Sequence, residues 1–418
     1  MKQVIVLSSQ MKIPFSIMLL TSIFWISGAS TASNFDYQSK MSSMQGEFKK
    51  YKKSLIDDFN ASKKEFAEYL KQVKGEIEGY KASLSKNWDD PEVISKTKWI
   101  EFSDDQKSRS EVDFENNFIT IQTIANSSEE ASDKLEKVLR RVVTVDTNEY
   151  RSTNALEKKI QDINDEVMSS SSRDKSKSED ILADIVFDKA PDVNQVNLYV
   201  KKHVSNQKII ETPAKIKGEN TYTIKIPLPE DTAIKKAKKY ISKVKEQGYQ
   251  QNISTSLILG IIQTESYFNP LARSHVPAFG LMQIVPETAG VDAHQHLFGN
   301  KKVVSADYLY DSDRNIKMGA AYLHVLYYKY FREVKDPMSR LYCSIAAYNT
   351  GAGNVSWVFN RGKGFKHQLS VVNALPAINS LTSDEVYDEL VNNLKYEEAR
   401  NYLKKVIDRT SKFSALKM

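Results

Sequence analysis

The chain has 418 residues, enough for two domains with additional segments, and its hydrophobic fraction of 41% is typical of a folded protein. Its formal net charge of +6 comes from basic residues spread along the chain, whereas nucleic-acid-binding proteins cluster theirs, so we expect no nucleic-acid partner. Cys343 is the only cysteine, which excludes an intrachain disulfide, and its apolar neighbours predict a small buried residue.

The amino terminus has the pattern of an export signal. Basic residues precede an apolar run from Ile13 to Ile26, and small residues follow it. The run is short for a membrane-spanning helix, so we favour a cleaved signal over a permanent anchor. Cleavage is expected after Ala32, with Ala29 as the alternative, and Met11 is an alternative start. We therefore predict a signal peptide over residues 1–32 and a location in the periplasm or cell envelope.

The segment 33–90 carries apolar residues at steps of three and four, which predicts an amphipathic helical segment. The stripe consists of Met44, Phe48, Tyr51, Leu55 and Phe59 and, after a break, of Phe66, Leu70, Val73, Ile77, Tyr80 and Leu84. Lysines and acids fill the other faces, which is typical of an amphipathic helical pair or a short coiled coil. Such a segment either packs on the next domain or binds a partner, and we favour packing.

A small α+β domain is predicted over residues 91–229. Asp89-Asp90-Pro91 marks its start, and the strict alternation from Phe118 to Ile124 predicts a strand. The other predicted elements are strands within 98–125, a hairpin turn at Asn116-Asn117, helices near Ser128–Val143 and Asn148–Asp162, and strands near Gln207–Thr212 and Thr221–Ile226. The region has no glycine-rich phosphate loop and no metal-ligand cluster in its sequence, so we expect it to position the next domain or bind a polymer.

Helical patterns follow one another over residues 230–418, and one of them ends in a carboxylate. Leu257 and Ile261 lie on an apolar stripe that Glu265 continues, and Pro270 ends this helix at or before Asn269. A carboxyl on a buried helix face loses solvation of its charged form, which raises its pKa toward that of a general acid near neutral pH. The alternative is a helix-end Glu that reaches solvent.

Short motifs follow Glu265 in a fixed order. They are Glu265-Ser266, Asn269-Pro270, Ser274, Gly280-Leu281-Met282-Gln283 and Ala347-Tyr348-Asn349-Thr350-Gly351-Ala352-Gly353. This ordered set resembles the lysozyme-like catalytic domain of lytic murein transglycosylases, and the region from Lys98 to Ala125 looks like the preceding domain of the membrane-bound lytic murein transglycosylase C family. The resemblance implies an α+β N-terminal domain followed by a mainly α-helical lysozyme-like catalytic domain.

The resemblance also implies a reaction. Lytic transglycosylases cleave the β-1,4 bond between N-acetylmuramic acid and N-acetylglucosamine of peptidoglycan without water and leave 1,6-anhydro ends, and they act within glycan strands, at strand ends, or both. In this family one Glu serves as acid and base, and Glu265 occupies its position. The residues that match the family's substrate contacts are Ser274, Gln283, Tyr348, Asn349 and Tyr402.

Three of these substrate contacts have a plainer alternative. Ser274 is otherwise an ordinary loop hydroxyl, and Tyr348 and Asn349 are otherwise polar groups satisfied within the core. Leu281 and Met282 are expected in the core rather than in contact with substrate. At the level of the whole protein, the alternatives are a hydrolytic muramidase of the same fold and a non-catalytic peptidoglycan-binding scaffold.

No cofactor and no metal are expected. His294 and His296 alternate in a short stretch without a flanking ligand set, which is far from a zinc pattern. The family resembled is typically lipid-anchored through a Cys after the signal, but Gly28-Ala29-Ser30 stands there, so we expect no lipid anchor. The expected partners are peptidoglycan glycan strands, with loose membrane or envelope-protein association through the N-terminal helices.

Overall fold

The computed structural model describes residues 31–168, 176–187, 189–205, 208–362, 364 and 368–416. The predicted signal peptide, with its alternative start and cleavage sites, lies outside the described residues except for Thr31 and Ala32. Within the described ranges, no helix combines the length and the apolar character needed to cross a membrane.

The first helix, α1, is continuous from Thr31 to Leu84, so the predicted helical pair is wrong, and the gap in the apolar stripe does not interrupt the helix. Ser62 fills the apparent gap in the apolar stripe. It is fully buried, and its hydroxyl donates to the carbonyl of Phe59 at 2.9 Å and accepts from the amide of Val303 at 3.1 Å. A small side chain with both bonds satisfied can replace an apolar one at a close helix contact.

The carboxyl-terminal half of α1 packs against the rest of the molecule. Phe66, Tyr69 and Val73 belong to the same hydrophobic core as the helices that follow residue 230. This confirms the predicted packing role for that half of α1. Because this core also includes Leu156 and Ile160, the three proposed segments share packing, and the bounds 33–90, 91–229 and 230–418 stay predictions.

A five-stranded antiparallel sheet forms the centre of the amino-terminal domain, in the order β1-β2-β3-β5-β4. The strands are β1 (Lys98–Phe102), β2 (Ser108–Asp113), β3 (Phe118–Ala125), β4 (Ile210–Pro213) and β5 (Asn220–Pro227). The predicted turn before β3 is present, with Asn117 in the left-handed region at a φ of 58°. Ile119 and Ile121 of β3 face the core, as the alternation predicts.

The helices of this domain are α2 (Ser128–Thr144), α3 (Thr147–Thr153), α4 (Ala155–Val167), α5 (Ala183–Val186) and α6 (Val193–Ser205). Leu135 and Leu139 of α2 share a core with Ile121 of the sheet. The helix predicted near Asn148–Asp162 is instead two helices, because the Asn154 side chain caps α4 by accepting from two of its first amides at 3.1 Å.

The remainder of the described chain is mainly helical. Its helices are α7 (Thr232–Gln251), α8 (Thr255–Ser266), α9 (Val291–Phe298), α10 (Ala306–Tyr310), α11 (Ser312–Val325), α12 (Pro337–Thr350), α13 (Ala352–Phe359), α14 (Val371–Ile378), α15 (Ser383–Asn393) and α16 (Glu397–Ala415), with π-helical turns at Pro286–Gly290 and Leu326–Tyr330. The predicted fold class, an α+β domain followed by a mainly α-helical one, is confirmed. Cys343 is buried as predicted.

The helix that carries Glu265 is packed closely against the last helix. A Cβ added at Gly260 of α8 would lie 2.6 Å from Thr410 Oγ1 and 3.0 Å from the Thr410 backbone nitrogen of α16. A larger residue at position 260 would therefore push the two helices apart. This contact fixes the distance between α8 and the helix that carries Tyr402.

We expect Gly260→Ala to lower the free energy of unfolding by about 1–3 kcal/mol, because the added methyl group meets backbone atoms that cannot move away freely. Gly79→Ala is the matched control, since nothing lies within 4 Å of a Cβ there, and it should raise stability by up to about 1 kcal/mol. Urea unfolding followed by circular dichroism measures both changes. Equal effects of the two substitutions would contradict the close contact.

Candidate active site

Glu265 lies in the last turn of α8, and its side chain is buried with 5% exposure. The helix ends at Ser266 because Tyr267 and Phe268 both adopt left-handed backbone conformations, with φ of 49° and 60°. The Ser266 hydroxyl donates to the carbonyl of Leu281 at 2.8 Å. The helix end and the Gly280–Gln283 motif are thus joined directly, and the solvent-reaching alternative for Glu265 is wrong.

Burial raises the pKa of Glu265 to about 7, from an ordinary value of 4.5. Lys96 and the Tyr402 hydroxyl act against burial and lower this pKa, whereas the charge of Glu398 raises it. A carboxyl with a pKa near 7 is about half protonated at neutral pH. It can therefore donate a proton and, once ionised, accept one.

Two tyrosines face Glu265. The Tyr402 hydroxyl lies close enough to the Glu265 carboxyl to lower the pKa of that carboxyl. In the described part of the chain, however, no group forms a hydrogen bond of regular geometry with this hydroxyl. Burial and the nearby Glu265 charge hold the pKa of Tyr402 well above its usual value, so its hydroxyl stays protonated. Tyr402 is therefore a neutral donor beside the carboxyl.

Tyr348 is held by a backbone contact. Its hydroxyl donates to the carbonyl of Met282 at 2.9 Å, and burial together with the Glu265 charge raises the pKa of Tyr348 well above its usual value. The hydroxyl hydrogen of Tyr348 is thus already engaged in a hydrogen bond to the backbone of the protein. Its ring and hydroxyl oxygen remain beside Glu265, in a position to border the reacting group.

Gln283 presents one unused acceptor. Its amide nitrogen donates to the carbonyls of Ala272 and Gly280, both at 3.0 Å, while its Oε1 is buried and has no partner among the described residues. The residue has a φ of 46°, so its backbone conformation is also constrained. A buried carbonyl oxygen without a partner is costly, and a sugar hydroxyl or amide would satisfy it.

Asn315 of α11 fixes the loop that carries Gln283, and it was not among the predicted residues. This fully buried side chain donates to the carbonyls of Phe279 and Leu309 at 2.8 Å and accepts from the amide of Met282 at 2.7 Å. Gly280, at a φ of 72°, leaves the space for it, since an added Cβ would lie 2.4 Å from Asn315 Nδ2.

Ser274 lines a groove rather than the cluster around Glu265. The groove has a volume of about 880 Å³ and lies between α1, the segment before β1 and the loop after α8. The Ser274 hydroxyl is half-buried and donates to the carbonyl of Val276 within its own turn. Its hydroxyl oxygen can still accept from a ligand in the groove.

The predicted residues thus fall into two groups. Glu265, Tyr348 and Tyr402 lie in one cluster. Gln283 is next to this cluster in the chain, because the Tyr348 hydroxyl donates to the carbonyl of the preceding residue, Met282. Asn349 is half-buried at the end of α12, and no contact with Glu265 places it in the same cluster. Leu281 and Met282 are fully buried in the core, as predicted.

Lys96 and Glu398 act on Glu265 but were not among the predicted residues. Both also line the groove, and their side chains form an ion pair with an Nζ–Oε1 distance of 3.3 Å. Neither residue lies in a motif or on an apolar stripe. Only the folded arrangement brings them together, so the sequence carried no signal for them.

Within the described residues, no group of three or more His, Cys, Asp and Glu side chains is arranged to hold a metal ion. His294 and His296 bind different partners. His294 Nδ1 lies 2.7 Å from the carbonyl of Asn300, and His296 Nε2 lies 2.9 Å from Gln251 Oε1.

Comparisons with known proteins match two parts of the chain. Residues 59–239 match the family described as membrane-bound lytic murein transglycosylase C, N-terminal domain. Residues 242–370 match the family described as transglycosylase SLT domain. The second match contains Glu265, Ser274, Gln283, Tyr348 and Asn349, and it ends before Tyr402.

Two relatives with the same name match most of the chain. The membrane-bound lytic murein transglycosylase C of Haemophilus ducreyi is 30% identical over 324 residues, covering 77% of this chain and 80% of that protein. The protein of the same name from Cronobacter sakazakii is 32% identical over 311 residues, covering 74% and 79%. Among solved structures, the 70 kDa soluble lytic transglycosylase of Escherichia coli is 26% identical, with a TM-score of 0.32, over 42% of this chain and 24% of that chain.

The raised pKa of Glu265 predicts a pH-dependent stability. The folded pKa lies above the unfolded value, so the folded protein binds more protons between pH 4.5 and 7, and stability falls as pH rises through this window. Glu265→Gln removes this loss. We expect the free energy of unfolding of Glu265→Gln, measured relative to the parent, to be about 3 kcal/mol higher at pH 8 than at pH 4.

Urea unfolding of both proteins at the two pH values measures this difference. Glu287→Gln serves as the control, because Glu287 is an exposed carboxyl of the same domain. A stability difference between parent and Glu265→Gln that does not change with pH would contradict the raised pKa.

Proposed function

This chain belongs to the membrane-bound lytic murein transglycosylase C family and is a lytic transglycosylase of peptidoglycan, and we propose that Glu265 is its catalytic acid and base. The observation that carries the proposal is the burial of this single carboxyl at the end of α8, which gives it a pKa of about 7. Such a group suits both proton transfers of the reaction.

In the first step, protonated Glu265 donates its proton to the glycosidic oxygen between N-acetylmuramic acid and N-acetylglucosamine. Positive charge then develops at C1 of the muramyl residue, and the substrate's acetamido group stabilises it. Tyr402 lies beside the carboxyl as a neutral donor that supports the carboxylate formed by this transfer.

In the second step, the Glu265 carboxylate removes the proton from the muramyl C6 hydroxyl, whose oxygen attacks C1. The product is a 1,6-anhydro ring, and the acid is regenerated without water. The unused Oε1 of Gln283 suits acceptance of a hydrogen bond from a sugar hydroxyl or acetamido group close to this centre. Tyr348, whose pKa responds to the Glu265 charge, borders the same region of the substrate.

The groove lined by Ser274 suits a longer part of the glycan strand. It lies between the two domains, and its walls combine apolar side chains such as Val73 and Ile77 with charged ones such as Lys96. Sugars present apolar ring faces and polar edges, so a mixed lining of this kind fits them. The amino-terminal domain would thereby help to hold the polymer.

A location in the cell envelope, reached through the signal peptide and without a lipid anchor, fits this substrate. Phe48 and Ile56 on the amino-terminal half of α1 are 40% and 59% exposed, and the stretch between them contains Lys49, Lys50, Lys52 and Lys53. Exposed apolar residues beside a short run of lysines support loose association with the membrane surface or with envelope proteins.

The proposal is tested by digestion of purified sacculi with the chain lacking residues 1–32, followed by mass spectrometry of the products. We expect anhydro-muropeptides from the parent, with a rate that falls as the pH rises above about 7 because Glu265 then loses its proton. Glu265→Gln should lower the rate at least about 100-fold, and Glu287→Gln should leave it within about twofold.

The products separate the alternatives. Reducing-end muropeptides would show that water is the acceptor, and Glu398, the other carboxylate that acts on Glu265, would then be the first candidate for a second base. Binding of sacculi without release of fragments would point to a non-catalytic scaffold. Undiminished activity of Glu265→Gln would overturn the assignment of the acid.

A further inference from the structure

A lysine of the amino-terminal domain lies beside the proposed catalytic acid. Lys96 is in the segment before β1, and its Nζ lies 3.3 Å from Oε1 of Glu398, which is 302 residues later in the chain. Glu398 lies in the first turn of α16, four residues before Tyr402 in the same helix. One ion pair thus joins the two domains one helical turn from Tyr402, and both of its charges act on the pKa of Glu265.

The segment that contains Lys96 is fixed to the loop that follows α8. The carbonyl of Lys96 accepts from the Asn269 side chain at 3.5 Å, and the carbonyl of Ser95 accepts from the Arg273 amide at 3.4 Å. These bonds are long, but the Arg273 guanidinium also forms a buried ion pair with Glu157 of α4 at 3.0 Å. Breaking a buried pair of this kind is costly, so the domains hold one relative position here.

We propose that the Lys96–Glu398 ion pair is part of the active site, in which Lys96 from the amino-terminal domain acts as a positioning residue that holds Glu398 and balances its charge beside Glu265. The proposal rests on the proposed role of Glu265 as the acid. It gives the amino-terminal domain a part in the chemistry, in addition to binding the polymer.

The two charges have opposite effects. Lys96 lowers the pKa of Glu265 by stabilising its anion, and Glu398 raises this pKa by repelling the anion. Glu398 is largely exposed, with 71% side-chain exposure, whereas Lys96 has 33%. Solvent screens both charges, so the balance between them matters more than the strength of either.

The other titratable groups that face Glu265 stay neutral near pH 7. Tyr402 of α16 and Tyr348 of α12 both have a pKa raised well above the usual value by burial. Arg409 of α16 is charged, but it lowers the pKa of Tyr402 and donates to the carbonyl of Gln263 at 2.9 Å. It is not among the groups that shift the pKa of Glu265. Lys96 and Glu398 are therefore the charged side chains among the described residues that act on Glu265.

The test compares the fall of kcat/KM on sacculi with rising pH for Lys96→Gln, Glu398→Gln, the double variant and the parent. Lys96→Gln should move this fall to higher pH, Glu398→Gln should move it to lower pH, and the double variant should return toward the parent. If the fall moves by one pH unit, kcat/KM changes about tenfold at pH values above the fall. Lys159→Gln is the control and should not move the profile. Lys159 forms an ion pair with Glu76, with an Nζ–Oε2 distance of 3.0 Å, and neither residue lines the groove.

A second measurement does not depend on activity. Lys96→Gln is introduced into the parent and into Glu265→Gln, and the free energy of unfolding is measured at pH 8. We expect a larger loss of stability in the parent, where Lys96 faces an ionised carboxyl, than in the Glu265→Gln background. An ordinary structural role would give the same loss in both.

Opposite displacements of the two profiles, or coupling between Lys96 and Glu265 in the stability measurement, would support the proposal. Displacements in the same direction, or unmoved profiles with no coupling, would overturn it. If the parent releases no anhydro product, the proposed function fails, and the stability measurement alone decides whether Lys96 acts on Glu265.

Discussion

The structure depends on the burial of one carboxyl group. An ionised Glu is rarely buried without a partner, because desolvation disfavours its charged form. At Glu265 this penalty is only partly offset by Lys96 and Tyr402, which leaves a pKa of about 7. The fold thus accepts a loss of stability as the pH rises from about 4.5 to 7, at the position of the proposed acid, and strongly shifted pKa values are common at functional sites.

The surrounding contacts keep this carboxyl in place. Gly260 brings α8 against α16, and the Ser266 hydroxyl joins the end of α8 to the loop at Leu281. Asn315 holds the same loop from α11, and Tyr348 does so from α12. Four elements therefore converge on the end of α8, so a change in any of them is expected to affect Glu265.

The sequence predicted those features that follow from periodicity or from an ordered motif. The stripe of α8 put Glu265 on the same face as Leu257 and Ile261, and the alternation in β3 put Ile119 and Ile121 on one face of the strand, and these faces are buried in the structure. Helix α6 carries Val196, Val200 and Val204 at spacings of four, but it was missed because the exposed apolar residues Val193 and Leu198 obscure this stripe in the sequence.

Features that depend on side chains far apart in the chain were not predictable. The apolar stripe of α1 has a gap at Ser62 in the sequence. A hydrophobic pattern does not distinguish a buried serine with satisfied hydrogen bonds from an exposed one. Asn315 and the Lys96–Glu398 pair have no local signal, since their partners come from other elements. The sequence therefore indicated the proposed acid, but not the charged groups that act on its pKa.

A direct titration of Glu265 tests the account most closely. The glutamate side-chain carboxyls are labelled with ¹³C, and the resonance of Glu265 is identified by its loss in Glu265→Gln. The account predicts a midpoint near pH 7 for this resonance, set by burial. A midpoint near the ordinary value of 4.5 would contradict it, because the carboxyl would then be ionised at neutral pH and unable to serve as the acid.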